Sequence, residues 1–189
     1  MLPYLISVVI MASGLANQPQ ELASHSLSLK NRYAVASVNE IFKYNIMRTL
    51  EINGYEFELK PGEQFAFHDQ ILPEYAPSVV GKAHYNGAQG FKSDGYLMGD
   101  GVCHLASFLN MVALQAGLET YVPKNHDFAA IPDVPKKYGV SIYSTSATNN
   151  LYITNTKPYS VKFKFLTEGD QLTLIISSSN IWTGVDRGI

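Results

Sequence analysis

The 189-residue sequence contains one cysteine, Cys103, so no disulfide can brace the fold from within. A lone thiol leaves the redox compartment open. Charged residues make up 16%, below the usual quarter, and the formal net charge is -2. That balance excludes the basic footprint of a nucleic-acid-binding surface. Charge runs, internal repeats, a phosphate-binding glycine loop, a dinucleotide fingerprint and a His-Glu-x-x-His zinc motif are all missing. The apolar run over 2–16 falls short of a comfortable membrane span but has the length of a signal-peptide core. Gly14-Leu15-Ala16 has the small-x-small form of a cleavage site, while the basic n-region is missing. Residues 1–20 are therefore expected to be a signal peptide or an N-terminal apolar segment, the alternative being a buried strand or helix. Targeting would put the protein outside the cytoplasm, secreted or held near the membrane.

What is present is enough for one domain with a core: 46% hydrophobic residues and 12 tyrosines. Residues 21–34 read as a polar, irregular lead-in and 35–179 as the domain, with a tail over 180–189. Val35, Val38, Ile41/Phe42, Ile46 and Leu50 keep a helical stripe that Asn53-Gly54 ends. Glu56–Leu59 alternates as a strand, and Lys60-Pro61-Gly62-Glu63 is a turn. Residues 69–101 hold two prolines and six glycines, which predicts long loops with short strands near 79–80 and 96–98. Leu105, Leu109, Val112, Ala113 and Ala116 then mark a second helix, stopped by Gly117 in a left-handed cap. Strands are expected at 120–122 and 139–143, followed by a β-meander over 151–154, 159–165 and 172–176. Helices early and strands late give an α+β fold, with a helix-start cysteine packed on an antiparallel sheet.

Cys103 follows the turn Gly99-Asp100-Gly101 and falls in or just before the first turn of the second helix. Unpaired amides and the positive end of the helix dipole favour a thiolate there. A packed, inert thiol is the competing reading. A cysteine nucleophile needs a base and a group that orients it. His104 adjoins the cysteine and points away from it on a helix. His126, entering the strand-rich half, is the better base. Asp127, Asp133 and Asn150 are the candidate orienting groups. The layout is distantly like that of cysteine peptidases and transglutaminases, which implies acyl transfer. A metal site of Cys103, His104, His126 and Asp127 lacks zinc-site spacing, and no metal or cofactor is expected.

Three segments resemble the VanW-like proteins. Asn53-Gly54 with Lys60-Pro61-Gly62-Glu63-Gln64-Phe65-Ala66-Phe67 is similar to a family pattern NG…PGExFSFN. Residues 99–109 with Ala116-Gly117-Leu118-Glu119 are similar to GGGICQVSSTLYNAAL…AGLE. His126 and then Asn150-Leu151-Tyr152-Ile153-Thr154-Asn155 are similar to RxxHS…DLRFKN. The likeness covers roughly 35–165. Asp100 stands where the pattern has Gly, His104 where it has Gln, Ala106 for a Ser, His68 for an Asn and Asp127 for a Ser. The family's Asp-Ala-Thr-Val segment has no clear counterpart, Gly139 or Val140 falling near it. The resemblance implies a bacterial cell-envelope protein, with one namesake in a glycopeptide-resistance cluster and peptidoglycan or its peptides as partner. The expected catalytic set is Cys103, His126 and Asn150. Gly99, Gly101, His104, Ser107, His68 and Asp127 are expected around the substrate. A non-catalytic cell-wall binding module, using aromatic loops at Tyr75, Tyr85, Phe91 and Tyr96, is the alternative.

Overall fold

The computed structural model describes residues 19–30, 32–126 and 133–179. The expected signal segment, Asp127 and the tail lie outside these residues, apart from 19–20. Helix α1 (Ala36–Asn53) buries Phe42, Asn45, Ile46, Thr49 and Leu50, one face at spacings of three and four. The stripe starts later than expected, because Val35 is exposed at the N-cap. Gly54 ends the helix at φ 86, a backbone value that favours glycine.

The expected irregular lead-in is in fact partly a strand. β1 (Glu21–Ser28) pairs antiparallel with β8 (Gln171–Ser178). β8 forms a hairpin with β7 (Val161–Glu168) across Gly169-Asp170, and β7 pairs with β2 (Glu56–Leu59). The first sheet thus runs β1-β8-β7-β2. Leu172, Leu174 and Ile176 on β8, and Val161, Phe163 and Phe165 on β7, alternate into the core, as a half-buried antiparallel sheet requires. The second sheet is β4-β3-β6-β5, from β3 (Gln64–Ala66), β4 (Val79–Val80), β5 (Glu119–Tyr121) and β6 (Tyr152–Thr154). The expected meander is therefore split: β6 pairs with β3 and β5, and β7 belongs to the other sheet. Stacked rings of Phe163, Phe57 and Phe65, with centroids 4.4 and 4.6 Å apart, join the two sheets.

Helix α2 (Val102–Gln115) packs against β1 and β8 on one side and β5 on the other, and touches α1. Its residues from Val102 to Ala113 are buried except Cys103, which is partly exposed. An almost wholly apolar helix belongs in a protein centre. Gly117, at φ 71, closes it, with the Leu118 amide donating to the Ala113 carbonyl at 3.1 Å. The architecture is α+β. The expected strand at 139–143 does not form; the segment runs extended between α2 and the loop after β5. Among the described residues, no helix is long and apolar enough to cross a membrane.

Candidate functional site

The glycine turn before Cys103 is built by α1. Asn45 donates to the Lys92 and Asp100 carbonyls, both at 3.0 Å, and accepts from the Lys92 amide at 2.8 Å. A polar residue on a buried helix face thereby satisfies three backbone groups of the loop. Gly101 takes φ 105 against the Phe42 carbonyl, and a Cβ there would sit 2.6 Å from that oxygen. Gly99, at φ 79, lies close under Tyr85, which itself adopts φ 43.

Cys103 is the second residue of α2. Segment 139–143 reaches it through side-chain bonds. Ser107 donates to the Cys103 carbonyl at 2.6 Å and accepts from the Val140 amide at 2.9 Å. The Ile142 amide donates to Cys103 Sγ at 3.4 Å, and the thiol faces the Ile142 carbonyl at 3.7 Å. On its other side the same segment packs on the loop after β5. The Ser141 amide donates to the Lys124 carbonyl, and Gly139 leaves no room for a Cβ beside the His126 carbonyl. His126 is thus carried to the α2 N-terminus on a loop.

Cys103 and His126 line one cleft of ≈ 360 Å³, within the usual range for small-ligand sites. Arg32, Tyr33, Tyr85, Gly99, Asp100, Gly101 and His104 complete its inner wall, and Tyr96 and Tyr143 stand at the rim. Tyr96 is 93% exposed. It is set by a turn in which Asp94 Oδ1 accepts the Tyr96 and Leu97 amides at 2.8 and 3.0 Å.

The electrostatics differ from the thiolate expected at a helix start. Burial pushes the Cys103 thiol up, the Ile142 amide draws it down less, and the Asp100 charge adds to the rise. Desolvation outweighs the Ile142 hydrogen bond here. His104 Nε2 accepts from Arg32 Nε at 3.2 Å, and its ring lies 4.9 Å from that of Phe42. Burial, then the charges of Arg32 and His126, lower it to about 3, so it is neutral at ordinary pH. Asp100 Oδ1 accepts from the Tyr33 hydroxyl at 3.2 Å. Burial raises Asp100 and the Asp94 charge adds to the rise, while the Tyr33 hydroxyl, then the Gly101 amide and Arg32, oppose it. The Tyr33 hydroxyl is pushed up to about 12, first by burial and then by Asp100.

Not every expected site residue is in the cleft. Asn150 Oδ1 accepts from the His68 and Leu151 amides, and its Nδ2 donates to the His68 and Gln70 carbonyls at 3.1 and 2.9 Å. Its amide clamps the loop after β3 to the start of β6 and does not orient His126. His68 is fully buried in that clamp, with Nε2 on the Asn149 carbonyl at 2.8 Å, and does not contact substrate space. Ser107 is likewise a brace for 139–143. Asp133 accepts the Ser28 amide at 2.8 Å and steadies the end of β1. Among the described residues His126 is on a loop and Asn150 is in the clamp, so the cysteine-peptidase-like layout is not confirmed. The aromatic loop residues also separate. Tyr85 and Tyr96 line the cleft, Phe91 is buried core, and Tyr75 stacks on Tyr152 at 4.1 Å. Arg32, Tyr33, Ile142 and Tyr143 were not expected in the site. No local pattern marks them, since each arrives by a long-range contact.

A cysteine at a helix start and a histidine line one cleft beside a Gly-x-Gly turn in an α+β domain. A family model described as VanW like protein matches residues 44–177, and the chain belongs to this VanW-like family. The family is associated with the cell envelope and with glycopeptide resistance. No curated protein and no solved structure matches the chain.

Proposed function

We propose that the protein is an extracytoplasmic, cysteine-dependent acyl-transfer enzyme acting on peptidoglycan-related peptide. One observation carries this reading: Cys103 and His126 line the same cleft at the N-terminus of α2. Cys103 Sγ attacks the carbonyl carbon of an amide, and His126 takes the thiol proton and delivers it to the leaving amine. The resulting thioester is released to water or to another amine. The Cys103 amide lies in the first helical turn, where amides lack helical partners, and faces the developing oxyanion. A thiol raised by burial is neutral at rest, so the base acts during attack rather than before it. The apolar segment at 2–16 exports the chain or holds it near the membrane.

The test is turnover of cell-wall peptides by the native chain and by Cys103→Ala. Loss of release in the variant supports the reading, and full activity overturns it. The raised thiol and its bonds to Ile142 favour a second reading, a cell-wall binding module in which Cys103 is packed. Sacculus binding that Cys103→Ala leaves unchanged, with no turnover by either chain, selects that reading.

A further inference from the structure

Asp100 and His104, on either side of the start of α2, meet the same short segment. Tyr33 donates to Asp100 Oδ1, and Arg32 donates to His104 Nε2. Arg32 and Tyr33 precede the residues matched by the family. The pairing uses only one oxygen of Asp100. Oδ2 is buried and has no hydrogen-bond partner among the described residues. A carboxylate oxygen held away from water without a donor is costly, and a charged donor relieves that cost best. The Tyr85 hydroxyl in the same cleft is also buried and has no hydrogen-bond partner among the described residues.

We propose that Asp100 is a cation-accepting subsite beside Cys103, which selects ligands carrying an ammonium group close to the carbonyl presented to the thiol. The substrate class is a peptide with a free amine, from a side chain or an N-terminus. Asp100 lies in the turn that leads into α2, and its charge is felt at Cys103. The ammonium pairs with Oδ2, while Tyr33 keeps Oδ1 in place. Tyr33 and Tyr85 line the same cleft. Arg32 is the opposing charge of the cleft. Arg32 packs over the Tyr33 ring at 5.0 Å and bonds His104, and its charge also acts on Asp100. The inference deepens the proposed function by naming what the Cys103 cleft selects.

The experiment labels Cys103 of the full chain with methanethiosulfonates bearing aminoethyl, methyl and sulfonatoethyl groups. Rates are normalised to those of a free thiol, so no turnover is required. The cationic reagent is expected to react about five- to tenfold faster than the neutral one, as one charge a few ångströms away in a partly wet cleft would give. Asp100→Asn should bring that ratio to about one. Asp100→Glu, which keeps the carboxylate, should retain a cation preference, and matched thermal melts of the native chain and Asp100→Asn guard against a variant that fails to fold. A native chain that favours the anionic reagent, or an Asp100→Asn variant that keeps the native ratio, overturns the subsite. A thiol that no reagent reaches overturns both the subsite and the proposed reaction. A cation preference with no peptide turnover leaves the subsite standing and removes only the reaction.

Discussion

Replacing Gly101 by alanine tests how the turn places Cys103. Gly101 takes φ 105, and the new Cβ would lie 2.6 Å from the Phe42 carbonyl oxygen and 3.2 Å from Ile46 Cγ1. The left-handed half of backbone space costs an L-residue about 1–2 kcal/mol. The obstructing atom is backbone in the buried middle of α1, so it cannot swing aside. Opening the contact between α1 and α2 adds about 1–3 kcal/mol, the usual cost of overpacking. The expected loss is about 2–5 kcal/mol. Gly62 is the control: its φ is 76, and nothing lies within 4 Å of the position its Cβ would take. Gly62→Ala should lose only the conformational part, about 1–2 kcal/mol. For a chain of this size each kcal/mol lowers the melting temperature by about 2–4 °C. Thermal unfolding followed by circular dichroism should therefore place Gly101→Ala about 2–12 °C below Gly62→Ala. Displacing the first turn of α2 should also change the alkylation rate of Cys103, which Gly62→Ala leaves alone. Equal melting losses, with equal alkylation rates, would refute this account of the turn.

Three further outcomes follow from the site. The rate of Cys103 alkylation by iodoacetamide should reach its half-rise above the value of about 8.5 typical of a free thiol, because burial pushes the group up; a half-rise below pH 8 would contradict this. His104 is held neutral to about 3 from an ordinary value of 6.5. Between those values the unfolded chain binds a proton that the folded chain does not, so stability falls as pH drops through the window. His104→Gln should flatten the acid limb of a urea-stability profile, and an unchanged limb would count against the burial of this ring. Asn150→Ala breaks the backbone clamp at 68–70 and 151 and should cost about 2–4 kcal/mol in chemical denaturation. A variant of native stability with an altered pH profile for Cys103 would instead return Asn150 to the role of orienting the histidine.

The parts of the fold that were legible in the sequence have strong local periods. The α2 stripe from Leu105 to Ala116, its Gly117 cap and the β7–β8 hairpin announce themselves because burial repeats at the period of the element. β1 did not, because Glu21–Ser28 is mostly polar and only Leu27 is fully buried. Pairing with β8 makes it a strand. Residues 139–143 failed in the opposite direction. They alternate like a strand, yet their amides go to Lys124, Ser107, Cys103 Sγ and the Asn149 carbonyl. Of the candidate site, Cys103, His126, His104 and the two glycines could be read from spacing and resemblance. The protonation of the thiol could not, because helix position gives the sign of the dipole and says nothing about desolvation. Arg32 and Tyr33 meet α2 and its leading turn across about seventy residues of chain, a distance over which no local pattern operates.

The strand β1 bears on where the folding unit begins. The match to the family starts at 44, but Leu27, Leu29 and Phe42 are buried in the common core ahead of that point. A fragment cut to 44–177 would strip β8 of its outer partner and uncover the apolar surface those three side chains close. The bare β8 would then be a long edge of unpaired amides and carbonyls beside exposed Leu and Ile, the kind of surface on which chains pair with one another and aggregate. In this protein β1 acts as a built-in guard strand, and the core and sheet that it closes reach back to Glu21.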